Sequence, residues 1–480
     1  LQRGDRVGIW LDKRFETVIA SFGAAAAGCV FVPLNPLLKP EQIGYILRDC
    51  NVRLLVTSNE RLALIAAVLE QCPDLRHVVT TGAAADRTEI PGVTHHTWDS
   101  VNSTPDGVTH RNIDTDILAI LYTSGSTGRP KGVVLSHRNM VAGAASVASY
   151  LENRPEDTIL AALPLSFDAG FSQLTTAFHV GARAVLINYL LPRDVLNAVV
   201  KERVTGLTAV PPLWIQLSQL KWPGSVTEHL RYIANTGGHM PHETLKTLRT
   251  LLPRTQPYLM YGLTEAFRST YLPPEEVDRR PDSIGKAIPN AEILVLRDDG
   301  TPCAVDEPGE LVHRGALVGL GYWNDAAKTA ERYKPLPGRA SELVLPEIAV
   351  FSGDTVRRDA EGFLYFVGRR DEMIKTSGYR VSPTEIEEVL YSSQQVGECA
   401  AFGVPHAVLG QAIVVVATPH PGATVDGDAL LAHCREQLPI YMVPAKIHTR
   451  DGSLPRNPNG KIDRKAIAAE FIPHPSDNAQ

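Results

Sequence analysis

The run Tyr122-Thr123-Ser124-Gly125-Ser126-Thr127-Gly128-Arg129-Pro130-Lys131-Gly132 follows directly on the apolar stretch Ile117 to Leu121. Its residue types suit one task, the cradling of a polyphosphate. Three glycines let the backbone approach a ligand closely, hydroxyls and amides can donate to phosphate oxygens, and Lys131 supplies positive charge. The pattern differs from the common nucleotide loop, because Gly follows Lys131 where that loop needs Ser or Thr. A merely flexible turn would have little use for so dense a mixture of Thr, Ser, Gly and Lys.

Other candidate groups are weaker when taken singly. Tyr261-Gly262-Leu263-Thr264-Glu265 offers a flat ring, a hydroxyl and a hard carboxylate oxygen suited to Mg²⁺, but alone it reads equally well as a capped helix start. Asp354 in Ser352-Gly353-Asp354 would ordinarily be a turn residue. Lys461, on a Gly-containing turn among prolines in Leu454 to Arg464, would ordinarily be a solvated surface lysine.

Order changes that reading. The loop ending Pro130-Lys131-Gly132, then Tyr261 to Glu265, Gly309-Glu310-Leu311 through Gly321-Tyr322-Trp323-Asn324, Ser352-Gly353-Asp354, Gly368-Arg369-Arg370-Asp371 and the Lys461 turn follow one another as in the adenylate-forming superfamily. The sequence resembles that family, which comprises acyl-CoA synthetases, peptide-synthetase adenylation domains and luciferases, from Gly4-Asp5-Arg6-Val7 to Lys461. Only the family's first few dozen residues are expected to be missing, since the chain opens at Leu1 without Met.

The resemblance implies ATP and Mg²⁺ as cofactors, and coenzyme A or a carrier protein's phosphopantetheine as thiol acceptor. By the same resemblance Thr123, Ser124, Gly125, Ser126, Thr127, Gly128 and Lys131 hold phosphate, Tyr261 faces adenine, and Asp354 with Arg369 holds the ribose. Thr264 offers its hydroxyl to phosphate and Glu265 holds Mg²⁺; both count as catalytic with Lys461, which bridges the substrate carboxylate and the α-phosphate. Asp371 is the hinge of a small rotating domain, and Met373 to Arg380 is the segment that swings in for thiol transfer, with Lys375 catalytic and Gly378 on the thiol path. The glycine-rich motif through Asn324 carries no assigned chemistry.

This inventory suits the chemistry. A carboxylate repels the triphosphate it must attack, so cations are needed to draw them together and to stabilise phosphoryl charge. No general base is required. The implied reaction is acid plus ATP to acyl-AMP and pyrophosphate, then acyl transfer to the thiol. A stand-alone amino-acid adenylating enzyme that loads a carrier protein is the nearest alternative. An oxygenase of the luciferase kind shares the motifs; a pseudo-enzyme would lack Lys461, Asp354 or Glu265; a kinase would release ADP. No carrier-protein domain is read after Lys461 in this sequence, so either acceptor is expected to be a separate molecule.

For the acid, Leu163-Pro164-Leu165-Ser166-Phe167-Asp168-Ala169-Gly170 resembles the amino-acid adenylation domains, whose Asp binds an α-ammonium. In that register Phe167, Asp168, Ser172, Ala209, Thr236, Met260, Arg268 and Ser269 line the acyl pocket. An unpaired buried guanidinium is costly. Arg268 therefore either pairs with Asp168 or another acid as a structural ion pair, or meets an anionic or polar group on the substrate.

The elements that must position these groups read as α/β. At 480 residues the chain needs at least two cores. Strands are expected at Arg6–Trp10, Val30–Pro33, Leu54–Thr57, Ile117–Tyr122, Thr158–Leu163, Arg183–Ile187 and Leu207–Val210, with helices at Phe15 to Phe22 and Pro40–Arg48 between them. Residues 83–112 read as a surface excursion, and the stretch beyond Asn290 as a β-rich subdomain. A helix over Ser382–Tyr391, capped by Ser382, strands near Cys399–Val404 and Ala412–Thr418, and a helix over Gly427–Gln437 form a second unit. The expected organisation is a large multi-subdomain α/β AMP-binding domain over 1–370, a small mobile α+β domain over 371–470, and a disordered tail over 471–480.

A net charge of -6 offers no basic field for nucleic acid or anionic membrane, and no apolar run reaches the roughly 18 residues of a spanning helix. Cys29, Cys50, Cys72, Cys303, Cys399 and Cys434 include no C-x-x-C pair, which argues against zinc or disulfide frameworks and for a reducing, cytoplasmic location.

Overall fold

Short β-rich runs alternating with helices bury best as a parallel sheet with helices on its faces. A computed structural model describes residues 1–82, 89–103, 111–123, 130–338, 342, 344–369, 372–376, 379–406, 408–420 and 424–471. In it β1 (Arg6–Trp10), β2 (Val30–Pro33), β3 (Val52–Ser58), β4 (His77–Thr81), β5 (Thr94–Thr97), β6 (Ile117–Thr123) and β7 (Lys131–Ser136) make one sheet in the order β5-β4-β3-β1-β2-β6-β7. Its β6/β7 pair is antiparallel, unlike its other pairs, and flanks the segment expected to hold phosphate.

A second sheet holds β8 (Thr158–Ala161), β9 (Arg183–Leu186), β10 (Gly206–Ala209), β11 (Tyr232–Asn235), β12 (Gln256–Tyr261), β13 (Thr270–Leu272), β14 (Ser283–Ala287), β15 (Ala291–Leu296), β16 (Gly309–Gly315), β17 (Tyr333–Pro335), β18 (Ile348–Arg358) and β19 (Leu364–Arg369). Its order is β15-β16-β18-β19-β14-β13-β12-β11-β10-β8-β9, with β17 on β18. It is parallel from β9 to β12 and antiparallel beyond. The β-rich region expected beyond Asn290 forms with apolar clusters of its own, around Val295, Leu311 and Val356 and around Leu296 and Val312, and β14 pairs β19 to join it to the same sheet.

Helices His137–Tyr150 and Asp168–Val180 belong to the core that joins the two sheets. Residues 168–177 are all buried, and Phe171 stacks on Phe31 of β2 with ring centroids 4.8 Å apart. Gly143 is required for this packing, because a Cβ there would lie 2.3 Å from Phe267 Cδ1.

The small domain has β20 (Ile374–Thr376), β21 (Tyr379–Val381), β22 (Val396–His406), β23 (Gly410–Pro419) and β24 (Lys446–Thr449) in the order β21-β20-β23-β22, with β24 beside β23. Helices Pro383–Ser392 and Gly427–Gln437 share its apolar core. Ser382 precedes the first of these but its side chain accepts no capping hydrogen bond; Pro383 at the first helical position starts the helix instead.

Two further expectations change. Part of the supposed surface excursion is structured: β5 completes an edge of the first sheet, and helix Trp98–Asn102 follows it. The helix Phe15–Ala26 forms, yet Phe15, Ile19 and Phe22 stand exposed, and its buried face is Thr17, Ser21, Ala24 and Ala25. Arg370 and Asp371 at the expected boundary, and residues 472–480 of the expected tail, lie outside the described residues. No helix among the described residues is long and apolar enough to cross a membrane.

Candidate active site

Strand register builds the first part of the site. In the β18/β19 pair Asp354 faces Arg369, and Arg369 Nε lies 3.2 Å from Asp354 Oδ1. Tyr261 ends β12 and its hydroxyl donates to Asp354 Oδ2 at 2.5 Å. Burial raises the Asp354 carboxyl above the ordinary range, and Arg369 opposes that rise. Asp354 Oδ1 is buried and accepts no hydrogen bond among the described residues. That is an acceptor suited to a sugar hydroxyl, so the donor set fits a nucleoside.

Thr264 and Glu265 sit in the turn after β12. Glu265 Oε1 accepts from the Tyr322 hydroxyl at 2.6 Å, and the buried Thr264 side chain has no hydrogen bond among the described residues. A carboxylate oriented by a phenol beside a spare hydroxyl fits a hard cation such as Mg²⁺. Phe267, fully buried, holds φ at 57° between Glu265 and Arg268, strain of the kind that needs a packed surround.

The phosphate-loop residues Ser124, Gly125, Ser126, Thr127 and Gly128 lie outside the described residues, as do Asp371 and Gly378. Thr123 and Lys131 are cross-strand partners at the base of the loop. Lys131 Nζ lies 5.6 Å from the Tyr322 ring centroid, and burial lowers its ammonium from the usual lysine value. The backbone of Gly321 to Trp323 pairs along β7: Val134 donates to Gly321 at 2.9 Å and Trp323 to Gly132 at 2.7 Å. The glycine-rich motif thus delivers Tyr322 to both Glu265 and Lys131. This role is invisible in the sequence, where only the presence of the motif is legible.

A cavity of about 10 Å³, room for about one water, lies deeper in the same domain. Ser172, Gln173, Thr176, Thr208, Met260 and Arg268 form much of its wall. Ser172 and Thr176 are one turn apart on helix Asp168–Val180. Of the expected pocket residues, Ser172, Met260 and Arg268 line this cavity, and Thr236 reaches it through Arg268, whose Nη1 donates to Thr236 Oγ1 at 3.0 Å. Ala209 and Ser269 do not line it: Ala209 is fully buried, with Thr208 in the wall in its place, and Ser269 Oγ lies 2.9 Å from His313 Nδ1.

Asp168 is 4% exposed and Arg268 3% exposed, yet they form no ion pair with each other. Arg268 Nε has no hydrogen-bond partner among the described residues. Of the two explanations for Arg268, a direct salt bridge to Asp168 does not form; the guanidinium donates to the Thr236 hydroxyl, while its charge still acts on the Asp168 carboxyl. Burial raises the Asp168 carboxyl, opposed by Arg268 and then by Lys461.

Lys461 comes from the small domain. Its Nζ lies 5.3 Å from the Phe167 ring centroid, and burial lowers its ammonium from the usual value, with Asp168 opposing. Gly237 makes room: with φ at 78°, a Cβ there would come within 2.8 Å of Lys461 Cε. Asn457 Oδ1 accepts from the Lys461 and Asn459 amides at 3.1 and 3.0 Å, and Asn35 Nδ2 donates to Pro458 O at 2.7 Å across the domain seam. Lys375, in contrast, is exposed on β20, paired in register with Arg380. One of the two expected catalytic lysines is therefore at the site and the other is outside it.

Comparisons with known proteins identify the family and the fold. The family model described as AMP-binding enzyme matches residues 1–323, and that described as AMP-binding enzyme C-terminal domain matches residues 385–461. A long-chain-fatty-acid–CoA ligase of Yersinia pestis is 31% identical, over 98% of this chain and 86% of that protein. An L-proline–[L-prolyl-carrier protein] ligase of Streptomyces coelicolor is also 31% identical, over 98% of this chain and 88% of that protein. Among solved structures, the O-succinylbenzoate coenzyme A synthetase of Bacillus subtilis in complex with ATP and magnesium ion is similar with a TM-score of 0.80 and 26% identity, over 98% and 90% of the two chains.

Proposed function

The chain belongs to the AMP-binding enzyme family, and on that basis we propose that it adenylates an amino acid bearing a second acidic or polar group and passes it to a thiol. The reaction class is AMP-forming acid–thiol ligation with ATP and Mg²⁺. A substrate carboxylate oxygen attacks the α-phosphorus and pyrophosphate leaves; the thiol sulfur then attacks the acyl carbon and AMP leaves. The acceptor is coenzyme A or the phosphopantetheine of a separate carrier protein.

In this reading Asp354 and Arg369 hold the ribose, Tyr261 the adenine, and Lys131 with the loop residues the phosphates. Glu265, with Thr264 beside it and Tyr322 orienting it, would hold Mg²⁺, which supplies positive charge to the phosphate oxygens. Lys461 draws the carboxylate toward the α-phosphate. The exposed position of Lys375 supports a second arrangement of the small domain for thiol transfer, with Asp371 as hinge and Gly378 on the thiol path. Six free and buried cysteines support a reducing, cytoplasmic setting.

The observation that carries the substrate assignment is the buried Asp168 and Arg268 without a mutual ion pair. A ligand with an α-ammonium beside Asp168 and an acceptor for the unpartnered Arg268 Nε would satisfy both groups. A pyrophosphate-exchange screen across amino acids, their deaminated analogues and fatty acids tests it. An acidic or polar amino acid should be the best substrate; a preference for palmitate-like chains would return the protein to the general acyl-CoA synthetases.

A further inference from the structure

A second polar cluster spans the seam between the domains. His239 and His242 lie on either side of Pro241 at the start of helix His242–Leu251 in the large domain, and Glu388 projects from helix Pro383–Ser392 of the small one. His239 Nε2 lies 2.9 Å from Glu388 Oε2, and His242 Nδ1 lies 3.3 Å from Glu388 Oε1. One donor atom from each of the three lies within 4.8 Å of the others, the one such grouping of His, Cys, Asp or Glu among the described residues. The other ring nitrogen, His242 Nε2, lies 2.8 Å from Asp282 Oδ1. The side chains of His239, His242 and Glu388 are 29%, 34% and 22% exposed, open enough for an ion to enter.

Zinc binds imidazole and carboxylate at about 2.0–2.2 Å, which in tetrahedral geometry separates neighbouring ligand atoms by about 3.3 Å. The two imidazole–carboxylate approaches, 2.9 and 3.3 Å to the two oxygens of Glu388, are near that spacing, and one ligand atom from each of the three residues lies within 4.8 Å of the others. Asp282 lies at ion-pair distance from His242 Nε2, where a carboxylate can orient a metal-binding imidazole and leave Nδ1 to ligate. Two imidazoles and one carboxylate suit zinc-class ions; Mg²⁺ prefers six oxygen ligands, so the cation of the nucleotide site would not compete.

We propose that His239, His242 and Glu388 bind one zinc-class divalent ion, with Asp282 as positioning carboxylate, and that the ion clamps the small domain in the arrangement that presents Lys461. Two ligands come from one domain and the third from the other. The full ligand set therefore exists only in this arrangement, and binding must shift the domain equilibrium toward it. The consequence for turnover rests on the two-step reading above; the site itself does not.

The test uses the full chain, stripped with a chelator and titrated with Co²⁺. Tetrahedral d–d absorption should saturate at about one equivalent, be displaced by Zn²⁺ but not by excess Mg²⁺, vanish in Glu388→Gln and His242→Ala, and weaken about 10- to 100-fold in Asp282→Asn. Circular dichroism checks each variant's fold, and Glu388→Gln decides if His242→Ala does not fold. Zn²⁺ should also slow amide hydrogen exchange in helices His242–Leu251 and Pro383–Ser392 of the wild type alone. With preformed adenylate, Zn²⁺ should slow thiol transfer at least roughly tenfold while leaving pyrophosphate exchange unchanged. Absent Co²⁺ bands, or bands unaltered in Glu388→Gln, overturn the site, a result that direct hydrogen bonding between the same side chains would give. Bands without slower exchange overturn the clamp. Absorption and exchange need no acid substrate, so both decide the matter even where the acid screen fails.

Discussion

Asp168 and Arg268 are both buried in the large domain without an ion pair between them: the guanidinium donates to Thr236, and burial raises the Asp168 carboxyl. Arg268 Nε has no hydrogen-bond partner among the described residues, and Lys461 and Arg268 are the cationic groups that act on Asp168. Asp168→Asn should therefore raise KM for the amino acid substrate about 10- to 100-fold, the scale of a charge-assisted hydrogen bond of about 1.5–3 kcal/mol, and leave the deaminated analogue nearly unaffected. Arg268→Gln should penalise substrates with a second acidic group most. Equal losses for both substrate classes would remove the proposed roles.

Lys461 reaches the site from a turn held by Asn457, so its removal should cost activity and not fold. Lys461→Ala is expected to slow adenylation by about 10² to 10³, the loss typical of one transition-state charge stabiliser, with unchanged circular dichroism. Lys375→Ala should leave adenylation intact and slow thiol transfer. Single-turnover assays of each half-reaction distinguish the two lysines, and near-normal adenylation by Lys461→Ala would refute its assignment.

Tyr322 orients Glu265 through one hydrogen bond of 2.6 Å. Tyr322→Phe keeps the ring beside Lys131 and removes only the hydroxyl. The Mg²⁺ concentration for half-maximal pyrophosphate exchange should rise about tenfold or more, as for lost partners of metal ligands elsewhere. A variant with wild-type Mg²⁺ dependence would show that Glu265 needs no such support.

His313 on β16 is fully buried against Ser269, and burial pushes its imidazolium down to about 3. Unfolded, a histidine titrates near about 6.5. Between these values the unfolded chain holds one more proton than the folded chain, so stability rises with pH across this window and is lost as pH falls through it, at about 1.4 kcal/mol per unit. Urea unfolding should show that His313→Gln lacks this share of the acid sensitivity. An identical pH slope in both proteins would contradict the neutral buried state.

Local chemistry is legible without coordinates. The candidate phosphate loop is read from its composition, β1, β15 and helix Gly427–Gln437 show in periodicity and turn residues, and the reaction class in the order of the motifs. The pairings between distant segments emerge only on folding. Tyr322 meets Glu265 across 57 positions, Arg268 meets Thr236 across 32 instead of Asp168, and Glu388 meets His239 across 149. The spacing of Phe15, Val18, Ile19 and Phe22 likewise predicts a helix correctly but not that Phe15 and Ile19 face outward while Val18 packs on the core and Phe22 stacks on Phe171. The reason is physical: periodicity and propensity fix the conformation of a segment, whereas the partner of a side chain depends on strand register and on how helices pack, which are set by contacts far apart in the chain.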